Sequence, residues 1–462
     1  MNKPEEKIKV SAGEDLLAFI PHMVGYWPDA SVVCIGMAGK QLRATMRLDL
    51  PEEHSPGVAQ LAHMASAQMA SDSVSDGCLL AIFAAEDWTD PGRQPHARLY
   101  AHLLSAFAQQ GLPVKDAWFV GGRHWRNVFC TEAACCPWPG KDNSSIRESF
   151  VNAEFIYRGS MVREPPERQI RDLSTPRDPK FVLAVAQAAA PLRDALAACG
   201  AGSGQLAVTL GAWEKALSRW PLTPDATAAA YLLASLGDCR VRDAVMVALA
   251  TTAEQSLMGA VGLGLVSADD GQQLLLPGGR FEGHEGPCCP VACEEAQQDG
   301  LLAAMNNFSK TLVGDLIHSG TAKTAQPLRK SSGTHGRPRP LPGTPGEGTA
   351  RTAKAALASG PDWERLDRAE PLLQFLARST EGPDRAPVLC ILGWIQWCKG
   401  RGTWAGHYFA ASQKSQPGYK LAALLDQLLA VGHIAQCAKD RRTAWRGYGA
   451  GGRGAQGGSD VA

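Results

Sequence analysis

The chain has 462 residues, more than one hydrophobic core usually serves, so two or three domains are expected. With 45% hydrophobic and 20% charged residues the composition is globular, and 46 Lys and Arg balance 46 Asp and Glu. That balance excludes a global field steering the protein toward nucleic acid or anionic lipid.

Met1–Lys9 is charged and polar with no apolar stretch behind it, so a secretory signal is not expected. Thirteen cysteines without such a signal predict reduced thiols and a cytoplasmic protein. Ser11 to Phe19 predicts a short helix, with Ser11 as N-cap and Glu14 three residues on. Ser31–Met37 and Leu42–Leu48 predict a β-hairpin turned at Ala38-Gly39-Lys40. A helix from about Ser55 to Ser71 follows, then a buried strand at Cys78–Ala84. His96–Gln110 repeats apolar residues at helical spacing and stops at Gly111, and Val114–Val120 is the next strand. Gly121-Gly122-Arg123 turns tightly into a strand at Trp125–Cys130; the same glycine pair has the chemistry to approach a phosphate. Strand–helix–strand units of this length imply parallel pairing through crossover helices, hence a layered α/β domain with a mixed sheet, residues 1–172.

From about Pro179 the chain turns Ala/Leu-rich and helical, giving an α-helical region over 173–317. Thr223-Pro224-Asp225 is a helix start: a hydroxyl cap, proline at the first position and an acid in the first turn. Val241–Val266 is the most apolar stretch, but Arg242, Asp243 and Glu254 interrupt it, which predicts a buried helix and no membrane span. Residues 318–358 are Pro/Gly-rich and basic and predict a disordered linker; no aromatic residue interleaves the charges, so nucleic-acid binding is not expected there. An α-helical region over 359–440 opens with a helix at Trp363–Arg378 and closes with an amphipathic one at Tyr419–Val431. Residues 441–462 predict a disordered Gly-rich tail.

Between those last two helices lies the clearest signature of the chain. Leu392 and Gly393, followed at fixed distances by Ala405, Phe409 and Pro417, match the spacing of a 34-residue tetratricopeptide unit. Gly393 and Ala405 let two antiparallel helices approach, Phe409 fills the seam and Pro417 ends the second helix. One such unit cannot bury its apolar face alone, so neighbouring helices are needed, and Pro179–Val266 is the favoured source. Trp213, Ala216 and Pro221 repeat the second-helix spacing, but the helix before them fits poorly. A unit of this kind presents a surface to a protein partner.

Three clusters have the residue types of a chemical site. Cys130, Cys135 and Cys136, with His124 upstream, offer the thiolates and imidazole that suit zinc. Adjacent cysteines aim both sulfurs at one ion only through a strained turn. Small buried hydrophobes, or a thiol pair open to oxidation, are therefore the competing readings. His284 with Cys288, Cys289 and Cys293 forms a second set, in a Gly/Pro-rich stretch. His22, Asp29, Ser31, Arg47 and Asp49 stand near strand ends, where open α/β sheets bind ligands. Arg47 and Asp49 on one strand face also suit a simple ion pair, and Ser31 lacks the elbow that exposes a nucleophile. On the helical side, Arg240, Arg242 and Asp243 read as an ion pair fixing helix packing, with a ligand role as the alternative. No phosphate-binding loop of the G-x-x-x-x-G-K-[ST] type and no H-E-x-x-H occurs.

Several runs carry a resemblance: Asp15-Leu16-Leu17, Pro21 to Val33, Arg47-Leu48-Asp49-Leu50-Pro51, Cys130 with Cys135-Cys136-Pro137, Arg240 to Ala244, and the helices from Gly393 to Leu429. Together they resemble the actinobacterial domain-of-unknown-function family DUF4192, over most of the chain apart from about Gly271–Ala358. The resemblance implies an intracellular actinobacterial protein and brings no activity, substrate or cofactor. The expectation is a non-catalytic interaction protein docking through its helical domain, with a metal- or thiol-dependent enzyme or sensor at Cys130, Cys135 and Cys136 as the alternative.

Overall fold

The computed structural model describes residues 8, 10, 12–173, 175, 178–199, 202–266, 273–278, 281–283, 360–440 and 442–445. These fall into two compact units, one up to Gln169 and one from Ile170 onward. The expected linker, nearly all of the tail, and His284, Cys288, Cys289 and Cys293 lie outside the described residues.

The first unit opens with α1 (Gly13–Val24), which runs five residues past the expected end and straight through Pro21. Burial overrides the missing proline donor here, since Leu16 to His22 all face the interior. The helix starts after Ala12 with no side-chain cap, and Ser11 is outside the described residues. β1 (Ser31–Ala38) and β2 (Gln41–Asp49) form the expected hairpin, turned at Gly39 with φ of 59°. α2 (Val58–Met69), β3 (Gly77–Phe83), α3 (Ala97–Gln109), β4 (Val114–Val120), β5 (His124–Asn127) and β6 (Lys141–Asp142) follow.

The strands form one mixed sheet in the order β2-β1-β3-β4-β5-β6. The crossover expectation needs one correction. β3 and β4 pair in parallel across α3, but β1 pairs antiparallel with both β2 and β3. The hairpin is thus inserted whole, so the crossover through α2 jumps over β1 before the chain pairs again. β6 has two residues, too few to show any periodicity.

Alternate strand residues feed two cores. Val33, Ile35, Leu79, Ala81 and Trp118 pack under α1, with Ile146 of α4 (Ser144–Arg147) and Val151 of α5 (Phe150–Tyr157). Val32, Cys34, Leu80, Ile82 and Phe119 pack on the opposite face under α2 and α3. The result is a helix–sheet–helix layering.

The division falls within the sequence of α6 (Pro166–Leu173), and the second unit continues with α7 (Pro179–Cys199), α8 (Ser203–Arg219), α9 (Ala226–Ser235), α10 (Cys239–Ala250) and α11 (Ala253–Gly262). The apolar stretch expected as one helix is two, because Thr252 takes the amide of Gln255 and restarts the chain as an N-cap. Among the described residues α7 is long and apolar enough to cross a membrane. Its Val185, Ala189 and Leu192 are buried at helical spacing, while Gln187 and Asp194 are exposed. β7 (Gln273–Leu275) pairs with β8 (Phe281–Gly283). The Gln205 amide bonds both backbone groups of Leu275, and Tyr231 donates to the same carbonyl, so one buried polar cluster holds β7 to α8 and α9.

Beyond the undescribed segment come α12 (Trp363–Arg378), α13 (Arg385–Cys398), α14 (Gly402–Ser415), α15 (Lys420–Ala430) and α16 (Gln436–Lys439). α12 packs on α8 and α10, so helices from both sides of that segment share one unit. Arg365 of α12 forks onto Glu214 at 2.7 and 3.0 Å and donates to the Ala248 carbonyl, and the Asp362 amide bonds the Ala250 carbonyl. α13 and α14 pack antiparallel: Ser412 donates to the Ala386 carbonyl, and Gly393 abuts Phe409 and Tyr408. Leu392, Ala405 and Phe409 are buried, and Pro417 stands in the exposed turn after α14. α13 is buried along its whole length.

Candidate thiol site

The carboxyl ends of β3 and β4 are where an open α/β sheet receives ligands. Here the Asp87 side chain fills that position. Its Oδ1 accepts from the amides of Arg123 at 2.9 Å and His124 at 3.0 Å, and those two donors hold the carboxyl below the usual carboxylate range against its partial burial. A side chain at Gly121 would meet Asp87 at 2.5 Å, and one at Gly122 would meet the Ala85 carbonyl at 2.6 Å. The glycine pair therefore admits the protein's own acid, at the place where a phosphate would have approached. His124 turns its Nδ1 to Asp87 Oδ2 at 3.6 Å. Nothing in the sequence spacing pointed to Asp87, which is 36 residues from Arg123.

β5 carries the chain away from His124 at about 3.3 Å per residue before the cysteines begin. His124 consequently does not join them. The Asn127 Oδ1 accepts from the amides of Phe129 and Cys130, turning the chain out of the strand. The Glu132 carbonyl then accepts from the amides of Cys135 and Cys136, a tight turn that gathers all three thiols. Their sulfurs lie within 4.8 Å of one another, with Cys130 and Cys135 in contact at 3.0 Å. The hydrogen bond shared by the Cys130 and Cys135 sulfurs lowers the Cys130 pKa and pushes that of Cys135 up to about 11. Cys135 is exposed and the other two are half-buried. At the foot of the loop Arg126 lies against two indoles that meet edge to face, 4.9 Å from the Trp88 ring and 5.0 Å from that of Trp138.

His22 sits apart from this loop. Its ring stacks on Phe155 at 4.7 Å, and its nitrogens bond Ser160 and Asn152, each at 2.9 Å. Burial lowers its pKa, so the ring is neutral, with Nε2–H donating to the Asn152 Oδ1 and Nδ1 accepting from Ser160. Arg47 pairs with Asp49 and donates to Ser31 at 2.8 Å and to the Asp29 carbonyl at 3.3 Å. The cross-strand register that sets Ser31 opposite Asp49 brings these together, without His22.

In the second unit Arg242 forks onto Asp243 and donates to Tyr419 at 3.0 Å. Burial pushes the Tyr419 hydroxyl up to about 12 and raises Asp243 as well. Arg242 and Tyr419, with Arg193, Asp384, Leu233 and Pro387, line a cleft of ≈ 230 Å³ in which each arginine already faces an acid. Lys399, absent from any sequence expectation, is fully buried against Asp367 and Glu370, each at 2.7 Å, with the Trp445 ring 4.9 Å away.

A family profile described as "Domain of unknown function (DUF4192)" matches residues 14–260 and 347–434. The chain belongs to the DUF4192 family. The gap in the match falls between the two DUF4192 segments that the second unit packs together, across α8, α10 and α12. Arg242 and Tyr419, from the two matched segments, meet inside that unit, and the three cysteines lie in the first segment. No curated protein and no solved structure matches this DUF4192 chain.

Proposed function

We propose that the protein works through its helical unit, as a non-catalytic scaffold that docks a protein partner. The observation that supports this is the Gly393–Phe409 contact between α13 and α14, a close approach of the kind a tetratricopeptide-like hairpin requires. The polar candidates at the strand ends are meanwhile engaged in bonds that hold the fold. Because α13 is enclosed, the docking face falls to α14 and α15, where Leu424 and Val431 stand exposed seven residues apart on one helix face. A cytoplasmic setting, an actinobacterial source and no membrane or nucleic-acid role belong to the same reading; the free cysteines among the described residues support the first. The test is affinity capture from the source cytosol with the full chain and with Leu424→Glu/Val431→Glu. The double variant should lose the captured protein while its thermal midpoint stays unchanged. An identical set of captured proteins at full occupancy would count against docking on this face.

A second reading, a metal- or thiol-dependent sensor or enzyme in the α/β unit, is favoured by the convergence of three sulfurs in one loop. Its test is thiol labelling: Cys130 should react faster than the exposed Cys239, and equal rates would remove its support.

A further inference from the structure

We propose that Cys130, Cys135 and Cys136 form a three-thiolate site for a thiophilic cation, Zn2+ or Cu+, with one coordination position left to solvent. This rests on the second reading above and specifies its ligand. Thiolates about 2.3 Å from a common ion stand roughly 3.8–4.0 Å from one another, in either tetrahedral or trigonal arrangement. The three sulfurs here already lie within 4.8 Å of one another. The 3.0 Å Cys130–Cys135 contact is far longer than the roughly 2.05 Å of a disulfide, so these are separate thiols. Opening that contact by about 1 Å, on the exposed Cys135 side, admits an ion at ordinary thiolate distances.

The backbone is already shaped for this. The Asn127 side chain and the Glu132 carbonyl take the amides of Cys130, Cys135 and Cys136, so the turn that adjacent cysteines require exists without a metal. The cluster of Trp88, Arg126 and Trp138 holds the foot of the loop. The donor set is also selective. Among the described residues no imidazole or carboxylate joins the sulfurs, and an all-thiolate set favours soft cations over Mg2+ and Ca2+. His124, back on β5, is not among the ligand atoms gathered there, which leaves three protein ligands and an open fourth position for a small exogenous molecule. Each thiol that coordinates releases its proton to solvent, so affinity rises with pH.

The experiment titrates the full-length, reduced, metal-stripped protein with Zn2+ and with Cu+ against chromophoric chelators, and with Co2+ as a spectroscopic probe. One equivalent should bind, with a thiolate-to-cobalt charge-transfer band that shifts on adding imidazole. The competition arms decide which cation is held more tightly. Cys130→Ser, Cys135→Ser and Cys136→Ser should each weaken binding at least tenfold. His124→Asn and the combined Cys288→Ser/Cys289→Ser/Cys293→Ser should leave it unchanged. Binding that survives serine at all three positions, or that disappears in the second triple variant, overturns the site, and a cobalt spectrum blind to imidazole overturns the open position. If no cation binds while Cys130 still labels fast, the metal site fails and the thiol reading stands.

Discussion

Gly393 lies where a single methyl group would strike an aromatic ring. An added Cβ meets Phe409 at 2.5 and 2.7 Å and the Tyr408 Cβ at 3.1 Å, all deep in the helical unit. Gly393→Ala should therefore destabilise by about 1–3 kcal/mol despite its better helix propensity, read from urea denaturation. Phe409→Ala, which empties the same seam, should cost about 3–5 kcal/mol. This pairing was legible in the sequence because a small residue and its large complement recur at a set distance along two helices. His22 shows the opposite case. The residue was singled out for chemistry, but its partners Ser160 and Asn152 lie 138 and 130 residues away and are invisible to local pattern. Its lowered pKa gives a pH prediction. The unfolded ring takes a proton near pH 6.5, the folded ring only below that, so the stability from neutral His22 is present above pH 6.5. It should be lost as pH falls from there through the folded-state pKa, and His22→Gln should flatten that part of the curve.

The cysteine loop is an element whose chemistry depends on its neighbours' backbone. Cys130 owes its lowered pKa first to the Cys135 thiol. Cys135→Ala should thus move the alkylation midpoint of Cys130 to higher pH, measured by rate against pH with a small iodoacetamide; an unmoved midpoint would assign the shift elsewhere. Arg126→Ala should open residues 128–140 to protease while lowering global stability by only about 1 kcal/mol, because cation–π contacts of this kind are modest. The sequence displayed the three cysteines and the awkwardness of an adjacent pair. What it could not display was the Glu132 carbonyl resolving that awkwardness, or β5 separating His124 from the group. The same holds for the sheet: the β1–β2 hairpin and the parallel β3–α3–β4 crossover followed from period and turn residues, but the insertion of β1 between β2 and β3 is a pairing choice among distant strands.

In the whole molecule, the helical unit is assembled from two stretches separated by residues 284–359. Cleavage within that segment should leave two fragments that co-elute under native conditions, held by α8 and α10 against α12, and that separate in urea. Arg365→Ala should weaken that association by about 1 kcal/mol, since Glu214 is 40% exposed and its pairing is screened. By itself the amino-acid order determined the layered α/β class, the helical class that follows it, and the close-packed α13–α14 pair, because these rest on periodicity and on residues a turn or two apart. The tertiary structure alone decided where the strands enter the sheet, which acid fills the glycine turn, and which sulfurs share a point in space. Those outcomes depend on contacts between residues far apart in the chain, whose energies exist only once the backbone has closed around them.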